Sequence, residues 1–359
     1  MYTPMRLEDF GYNDKLEKIR IKNNLKDFEI GRIVSEHKER YTVRTITGDM
    51  EAEITGNLRF SARSREDFPA VGDWVALITY DPDLAIIQKI LPRLSTLTRQ
   101  AAGQAGEIQL IAANIDYVLI IQAADLDFNL NRIERYLTIC YSSKASPIIV
   151  LTKTDLMQKG KIDKAINLIN RRIGNIPVVA ISNETQDGYD TLKKLVKKGK
   201  TYCMLGSSGV GKSTLMNNLS GRTIMKTDAI SKSTNKGRHI TSYRELTVLD
   251  SGGILIDNPG IREVGITDAP SGLETTFDRI ARLSKNCRFH NCTHIRETGC
   301  AVLEAVEKGE IDIKSYDNYQ KMEREKVHFE LSAAEKRKKD KNFGKLIRNY
   351  EKDRKKDKF

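Results

Sequence analysis

Short runs in which apolar and polar residues alternate fill the chain from residue 29 to 97. They predict five strands, at residues 31–35, 41–46, 50–54, 72–78 and 85–90. A period of two is typical of strands with one buried face. Five short strands separated by turn residues predict a small β-barrel, and an oligonucleotide-binding (OB-like) barrel is one candidate. Trp74, in the fourth run, is expected in the core.

A cluster of arginines and aromatic residues lies between the third and fourth predicted strands. Arg59, Arg63 and Arg65 are close in sequence to Phe60 and Phe68. Basic residues beside aromatic rings suit contact with nucleic acid. A solvated loop with one buried ring explains the same residues equally well.

From residue 115 the pattern changes to continuous apolar runs. These runs predict strands at residues 116–122, 147–152, 177–182, 201–205, 246–249 and 253–257. Apolar residues at helical spacing predict helices at 130–140 and 162–173. Continuous apolar strands are typical of a sheet buried on both faces, and their alternation with helices predicts a mostly parallel sheet in an α/β domain.

The remaining segments are more polar. Residues 1–28 carry one weak helical signal, and residues 93–107 are rich in Gly, Ala and Gln, as in a linker. Helices are predicted at 301–308 and 316–339. Residues 345–359 are too charged to bury a face, so we expect them to be disordered until they meet RNA.

The charge of the chain is unevenly distributed. The formal net charge is +12, and residues 336–358 hold twelve Lys and Arg against four Asp and Glu, or +8. A basic protein of this kind favours a polyanionic partner such as nucleic acid, although lysines that only solvate the surface are the alternative. The N-terminus lacks the apolar core of a signal peptide, and no apolar run approaches membrane-spanning length, so a cytoplasmic protein is expected.

The sequence GSSGVGKST at residues 206–214 fits the phosphate-binding pattern G-x-x-x-x-G-K-S. A predicted strand precedes it and apolar residues at helical spacing follow, so backbone N–H groups and a helix N-terminus can converge on a phosphate. Lys212 is expected to reach the β- and γ-phosphates, and the Ser213 hydroxyl to bind Mg²⁺. A chance match in a glycine-containing turn is the alternative. The predicted phosphate-binding residues are Gly206, Ser207, Ser208, Gly209, Val210, Gly211, Lys212, Ser213 and Thr214.

Two other predicted strands end in polar motifs, where open α/β sheets bind ligands. The first motif is TKTD at residues 152–155. Its Asp155 carboxylate can accept hydrogen bonds from the ring N–H and the exocyclic amine of guanine, a pair of donors that adenine lacks. In the second, DNPG, Asp257 could hold Mg²⁺ through water and the Gly260 N–H could sense a γ-phosphate. An ordinary strand-to-turn sequence explains DNPG as well. The predicted base-reading residues are Thr152, Lys153, Thr154 and Asp155.

Three of the five cysteines crowd into one short segment. Cys287, Cys292 and Cys300, with His294 or the competing His290, supply four ligands. Three thiolates and one imidazole suit a closed, structural Zn²⁺ site. Three free cysteines beside a chance histidine are the alternative.

The base-reading motif precedes the phosphate motif, which reverses the usual order in GTPases. With the small β domain before it and the cysteine cluster after it, the chain resembles the circularly permuted, small-ribosomal-subunit-dependent GTPases of bacteria, the RsgA family. The resemblance covers about residues 29–320. Its most specific parts are VGDWV at 71–75, the phosphate motif, GRHIT at 237–241, DNPGIRE at 257–263 and the cysteine cluster.

The resemblance implies further site residues. Ser182 and Asn183 would form a second base-contacting loop, and His239 would orient the attacking water, unless it contacts the partner instead. Thr241 would be the switch ligand of Mg²⁺. Resemblance and spacing together favour His294 as the fourth zinc ligand. The implied catalytic residues are His239, Lys212 and Gly260, and the implied magnesium ligands are Ser213, Thr241 and Asp257.

The sequence departs from the family pattern at two positions, and a third position differs from GTPases in general. Thr152 stands where asparagine is frequent, so guanine selectivity rests on Asp155. Ile240 stands where many members have threonine, which leaves Thr241 as the switch ligand. Ile261 stands where many GTPases have a water-orienting glutamine, so hydrolysis is expected to be slow until the small ribosomal subunit activates it.

The prediction is a multidomain, monomeric GTPase that binds GTP or GDP, Mg²⁺ and one structural Zn²⁺. The resemblance implies that it acts late in maturation of the small ribosomal subunit and contacts its rRNA. An RNA-binding scaffold with a nucleotide latch and a P-loop ATPase or kinase are the alternatives. The predicted parts are an N-terminal extension (1–28), an OB-like β-barrel (29–97), a linker (98–114), a circularly permuted GTPase domain (115–275), a zinc-binding helical domain (276–335) and a basic tail (336–359).

Overall fold

A computed structural model of the chain describes most of its residues. The described ranges are residues 6–37, 40–81, 83–100, 108–125, 127–158, 160–222, 244–257 and 270–356.

Five N-terminal strands form a closed barrel. They are β1 (Glu29–His37), β2 (Arg40–Arg44), β3 (Asp49–Ile54), β4 (Trp74–Asp81) and β5 (Leu84–Ile90). The strands pair in the order β1-β2-β3-β5-β4, and β4 pairs with β1 again. Along β3, Met50, Ala52 and Ile54 are buried while the residues between them are exposed. The alternation of apolar and polar residues therefore places apolar side chains on the buried face of the strand and polar side chains on its exposed face. The predicted OB-like barrel is confirmed.

The N-terminal segment packs against the outside of this barrel. Helix α1 (Asp14–Lys22) follows the buried Phe10 and contributes the buried Leu16. Their core also contains Trp74, whose ring meets Tyr12 edge-on at a centroid distance of 5.0 Å. Trp74 is therefore a core residue, as predicted, but its core lies between the N-terminal segment and the barrel wall.

The range predicted to be a linker contains a β-hairpin. Strands β6 (Thr96–Gln100) and β7 (Ile108–Ala113) pair antiparallel, and Leu97 and Ile111 are buried. The linker prediction was wrong for these residues. The polar composition of the segment concealed short apolar stretches whose pairing and packing fix them as strands.

A mostly parallel sheet with helices on both faces follows. Its strands are β8 (Tyr117–Ala123), β9 (Ser146–Thr152), β10 (Val178–Ala180), β11 (Thr201–Leu205), β12 (Glu245–Val248) and β13 (Ile254–Asp257). The order is β10-β9-β8-β11-β13-β12, with β12 antiparallel to β13. β12 also pairs with β1, so the sheet continues into the barrel wall.

Helices cover the two faces of this α/β domain. They are α3 (Leu130–Ser142), α4 (Lys161–Ile173), α5 (Tyr189–Leu195) and α6 (Lys212–Ser220). One apolar cluster includes Ile133 of α3 and Ile169 of α4, and a second includes Leu192 of α5 and Leu215 of α6. The two clusters confirm the predicted doubly covered sheet.

The C-terminal region is helical. Its helices are α7 (Pro270–Thr276), α8 (Asp278–Ser284), α9 (Ala301–Glu307) and α10 (Ile313–Lys356). The segment from residue 345 was predicted to be disordered, but it continues α10 as far as Lys356, because Lys, Arg and Glu favour the helix. Within the described ranges, no helix combines the length and the apolar character needed to cross a membrane.

Glu134 of α3 joins the C-terminal helices to the α/β domain. Only 2% of Glu134 is exposed, and both of its carboxylate oxygens accept hydrogen bonds from Arg172, at 2.8 and 2.7 Å. Ser315 and Asn318 of α10 donate to the same two oxygens at 2.7 and 2.6 Å. A buried carboxylate with several donors fixes how α10 sits on α3.

Arg32 joins the N-terminal segment, the barrel and the α/β domain. Its buried guanidinium donates to the carbonyl oxygens of Phe10, Gly72 and Asn114 and to the Thr201 hydroxyl. Burial lowers the pKa of Arg32 to about 10, with the Asp116 and Asp73 carboxylates acting in the opposite direction, so the side chain stays charged at neutral pH. The charge satisfies acceptors from four separate segments.

Replacing Arg32 by methionine is expected to lower the free energy of unfolding by about 3–5 kcal/mol, because buried acceptors lose their donor. Denaturant unfolding followed by Trp74 fluorescence measures this directly, since Trp74 is the single tryptophan and the Arg32 guanidinium carbon lies 5.4 Å from its ring centroid. Arg40→Met is the control, because Arg40 has a 70% exposed side chain. Equal stabilities of the two variants would contradict this role of Arg32.

Candidate nucleotide-binding site and metal centre

The phosphate motif has the strand and helix that it requires. β11 enters the loop, and α6 begins at Lys212. Gly206 lies against β8, where a Cβ atom would come within 2.5 Å of the Ile121 carbonyl oxygen. Gly211 has φ +91°, a left-handed conformation that glycine adopts without strain. The loop therefore wraps tightly in front of the helix N-terminus, with Ser213 and Thr214 in the first turn of α6.

The Lys212 ammonium group folds back over the loop. Its Nζ donates to the carbonyl oxygens of Gly206 and Ser207 at 2.9 and 2.6 Å. These bonds hold a positive charge beside backbone amides, where the β- and γ-phosphates of a nucleotide would be neutralised. Ser208 is exposed on the same loop, and Gly209 has φ +77°.

Thr152, predicted to contact the base, makes a buried contact with the phosphate loop in the structure. It is fully buried, and its hydroxyl donates to the Val210 carbonyl oxygen at 2.7 Å. The bond ties the end of β9 to the phosphate loop. Thr152 is therefore a positioning residue that fixes the spacing between the base-reading segment and the phosphate-binding segment.

Replacing Thr152 by valine is expected to weaken binding of a fluorescent GTP analogue about five- to tenfold, because the Val210 carbonyl loses a buried donor while the side-chain volume is kept. Thr152→Ser retains the hydroxyl and should bind within about twofold of the natural protein. Equal affinities of the valine and serine variants would show that this hydrogen bond does not position the loop.

Asp155 lies at an exposed strand end, next to a second polar loop. Ser182 donates its hydroxyl proton to Asp155 Oδ1 at 2.6 Å. The backbone N–H groups of Glu184 and Thr185 donate to the same serine oxygen, at 3.2 and 3.1 Å. Ser182 thus orients the carboxylate while Asp155 stays open to solvent. An oriented, exposed carboxylate at this edge of the sheet suits recognition of paired N–H donors.

Asn183 ties the second polar loop to the phosphate loop. Its side-chain amide donates to the Gly211 carbonyl oxygen at 3.0 Å, and its side-chain oxygen accepts from the Tyr189 hydroxyl at 2.7 Å. Asn218 of α6 donates to the Asn183 carbonyl and to the Tyr189 oxygen at 3.1 and 2.9 Å. Burial raises the pKa of Tyr189 to about 12, so its hydroxyl keeps the proton that it donates. Motif reasoning missed Tyr189 and Asn218, since only the fold brings them here.

An arginine and a carboxylate also reach the phosphate loop. Arg132 of α3 donates to Asp127 Oδ2 at 2.6 Å and to the Ser207 hydroxyl at 3.1 Å. Ser207 in turn donates to Asp127 at 3.0 Å. Sequence reasoning missed this triad, because no local pattern signals it. Nearby, Lys153 pairs with Asp125 at 3.4 Å, and Thr154 is half-buried.

The remaining predicted site residues are only partly within the described ranges. Asp257 ends β13, which runs parallel to β11, so its carboxylate lies at the same sheet edge as the phosphate loop. His239, Thr241 and Gly260 lie outside the described residues, as do Ile240 and Ile261. Their roles remain predictions.

The cysteine cluster is assembled as a metal site would be. The ligand atoms of Cys287, Cys292, His294 and Cys300 all lie within 4.8 Å of one another. His294 Nδ1 is 3.6 Å from the Cys287 sulfur and 3.4 Å from the Cys300 sulfur, and those sulfurs are 3.9 Å apart. Tetrahedral Zn²⁺ places two sulfurs about 3.8 Å apart and a sulfur and a nitrogen about 3.6 Å apart. The four residues therefore fit zinc.

The surroundings favour His294 over His290. His294 is buried, and Tyr316 of α10 donates to its carbonyl oxygen at 2.5 Å. Its backbone adopts a left-handed φ of +58°, and its Nδ1 lies beside the Cys287 and Cys300 sulfurs. His290 is exposed and outside the cluster. The Leu303 N–H of α9 points at the Cys300 sulfur at 3.5 Å, which would stabilise a metal-bound thiolate.

The chain is similar to known GTPases over most of its length. A family model described as RsgA GTPase matches residues 90–267. Small ribosomal subunit biogenesis GTPase RsgA 1 of Bacteroides thetaiotaomicron is 41% identical, covering 96% of this chain and 96% of that protein. Small ribosomal subunit biogenesis GTPase RsgA of Methanosarcina acetivorans is 41% identical, covering 85% of this chain and 81% of its own length.

Two solved structures have a similar fold. YjeQ from Thermotoga maritima superposes with a TM-score of 0.62 at 27% identity, covering 82% of this chain and 96% of that one. YloQ, described as a circularly permuted GTPase, gives a TM-score of 0.60 at 24% identity, covering 87% of this chain and 96% of its own, and supports the fold alone.

Proposed function

The chain belongs to the RsgA GTPase family, and on that basis we propose that it binds the small ribosomal subunit, acts late in its maturation and hydrolyses GTP faster when bound there. The observation that carries the nucleotide part is the Thr152–Val210 hydrogen bond. It ties the strand end that precedes Asp155 to the phosphate loop, so the base and the phosphates of one GTP are read by two linked segments.

The proposed chemistry is in-line attack of water on the γ-phosphate. Lys212 neutralises charge that develops on the phosphate oxygens, and the Gly260 N–H contacts the γ-phosphate. His239 orients the water. Because Ile261 offers no hydrogen bond to that water, turnover stays slow until the ribosomal partner completes the site, an effect of about 10³–10⁵ in related systems.

We propose that this protein holds two metal ions. Ser213, Asp257 and Thr241 would hold Mg²⁺ with the nucleotide, where the ion offsets phosphate charge. Cys287, Cys292, His294 and Cys300 would hold one structural Zn²⁺. Three thiolates and one imidazole complete a tetrahedral shell without an open position, so the ion stabilises the C-terminal helices and takes no part in the reaction.

The proposed setting is the cytoplasm, where the protein acts as a monomer on ribosomal RNA. The net charge of +12 supports a polyanionic partner. The two alternatives, a scaffold with a nucleotide latch and a P-loop ATPase or kinase, are not favoured by the family membership.

Nucleotide competition and co-sedimentation test the proposal. Unlabelled GTP and GDP should displace a fluorescent GTP analogue at concentrations at least about a hundredfold below those needed for ATP. The reason is that the guanine of GTP and GDP pairs with Asp155, whereas the adenine of ATP lacks the two N–H donors. The protein should pellet with purified small subunits when a non-hydrolysable GTP analogue is present, and it should dissociate from them when GDP is present. Preference for ATP would overturn the nucleotide assignment, and failure to pellet in either state would overturn the ribosomal one.

A further inference from the structure

Helix α2 (Gly56–Ser61) presents a phenylalanine to solvent. Phe60 is 92% exposed, whereas Leu58 packs against the barrel core. Residues two apart on a helix point about 200° away from each other, so the inward position of Leu58 turns Phe60 outward. A single exposed apolar side chain needs no explanation by itself. The residues that surround Phe60, however, do call for an explanation.

Three arginines accompany the exposed ring. Arg59, Arg63 and Arg65 are exposed on α2 and on the loop that follows it. Phe68, the other aromatic residue of this connection, is partly buried against the barrel core. The buried-ring explanation therefore applies to Phe68 and not to Phe60. We define Arg59, Phe60, Arg63 and Arg65 as the α2 surface.

A buried ion pair holds the loop of this surface from behind. Asp73 is fully buried, and Arg93 donates to both of its oxygens at 2.8 and 2.7 Å. The same guanidinium donates to the carbonyl oxygens of Glu66 and Phe68 at 2.5 and 2.7 Å. Four bonds from one planar group fix the backbone that carries Arg63 and Arg65.

The front of the loop is fixed as well. Asp67 Oδ2 accepts hydrogen bonds from the backbone N–H groups of Arg63 and Ser64 at 2.8 and 2.9 Å. Its negative charge is thus engaged by the turn, while the guanidinium groups face outward to solvent. A surface already fixed in one conformation loses little entropy when a partner binds.

We propose that the α2 surface binds single-stranded RNA of the small ribosomal subunit, with an unstacked base lying on the Phe60 ring and phosphates on Arg63 and Arg65. The inference rests on the proposed ribosomal function. An exposed ring gives any base a stacking face, and guanidinium groups beside it match the phosphates on either side. A flat ring flanked by arginines on a fixed turn suits an extruded base better than a paired helix, whose bases are already stacked.

Binding of a labelled single-stranded RNA 20-mer, measured by fluorescence anisotropy over a range of salt concentrations, tests the inference with the full-length protein. Phe60→Leu keeps an apolar side chain but removes the π face, and affinity should fall about tenfold. Phe60→Trp should bind at least as tightly as the natural protein. Arg63→Ala combined with Arg65→Ala should lower the slope of log K against log salt by about 0.7 for each lost phosphate contact.

Tyr80→Leu is the matched control, because Tyr80 is 66% exposed on the same barrel but is followed in the chain by the exposed acidic residues Asp81 and Asp83. It should bind RNA like the natural protein. Two results would overturn the inference while leaving the ribosomal function intact: Phe60→Leu and Tyr80→Leu binding alike, or an equal Phe60→Leu defect on duplex RNA. If Phe60→Leu weakened subunit binding but not RNA binding, the partner would be a ribosomal protein, and the inference would again fail. Failure of the natural protein to bind small ribosomal subunits would overturn the proposed function itself.

Discussion

Replacing Lys212 by alanine is expected to lower the rate of GTP hydrolysis by about 10²–10³-fold. The Lys212 ammonium group is a positive charge that the structure holds directly over the phosphate loop, through its bonds to the Gly206 and Ser207 carbonyl oxygens. Charge on the γ-phosphate oxygens grows toward the transition state, so the loss falls mainly on turnover. Single-turnover phosphate release at saturating GTP measures it.

Lys164→Ala is the control for this variant, since Lys164 is an exposed lysine of α4 and its loss changes the net charge equally. It should hydrolyse GTP at the rate of the natural protein. Hydrolysis by Lys212→Ala at that same rate would remove Lys212 from the catalytic site. Both proteins should have the same melting temperature, which separates a catalytic defect from misfolding.

Removing zinc is expected to unfold the C-terminal helices and leave the barrel and the α/β domain folded. Metal binding at sites of this kind contributes about 10–16 kcal/mol. The three cysteine ligands belong to the same apolar core as α8, α9 and the first turns of α10, where Met322 is fully buried. Chelation should therefore reduce the helical signal in circular dichroism and leave Trp74 fluorescence unchanged.

Two histidine variants separate the metal from the surrounding packing. His294→Ala should lose the bound zinc and reproduce the effect of the chelator. His290→Ala should retain one zinc per chain by elemental analysis, because His290 is exposed and outside the cluster. Zinc lost equally from both variants, or retained equally by both, would contradict the ligand set.

Local sequence patterns were sufficient for the barrel strands, the phosphate loop and the metal cluster. Each depends on residues close together in the chain: the alternation along β3, the glycines around Lys212, and the spacing from Cys287 to Cys300. In each case the physical requirement is local, such as one buried face or four ligands around one ion.

Side-chain direction and long-range pairing could not be predicted in this way. Thr152 was predicted to contact the base from its place in a motif, and that motif gave no sign of the hydrogen bond from its hydroxyl to the phosphate loop. Arg32 and Glu134 look like ordinary surface charges in sequence, and they are buried because partners from distant segments satisfy them. Their positions follow from how the sheet and helices come together, which no short window contains.

The N-terminal segment and the tail show two further limits. Residues before β1 are mostly polar, but Phe10 and Leu16 are enough to pack the segment onto Trp74. The tail was expected to be disordered because its charged residues cannot bury a face, but α10 continues to Lys356, and Lys, Arg and Glu favour the helix. Composition therefore underestimated order at both ends of the chain.

The most direct test is the rate of GTP and ATP hydrolysis by the purified protein with and without small ribosomal subunits. We expect slow, GTP-selective turnover that rises about 10³-fold or more when subunits saturate the protein. Turnover that subunits leave unchanged would contradict it, and so would equal use of ATP.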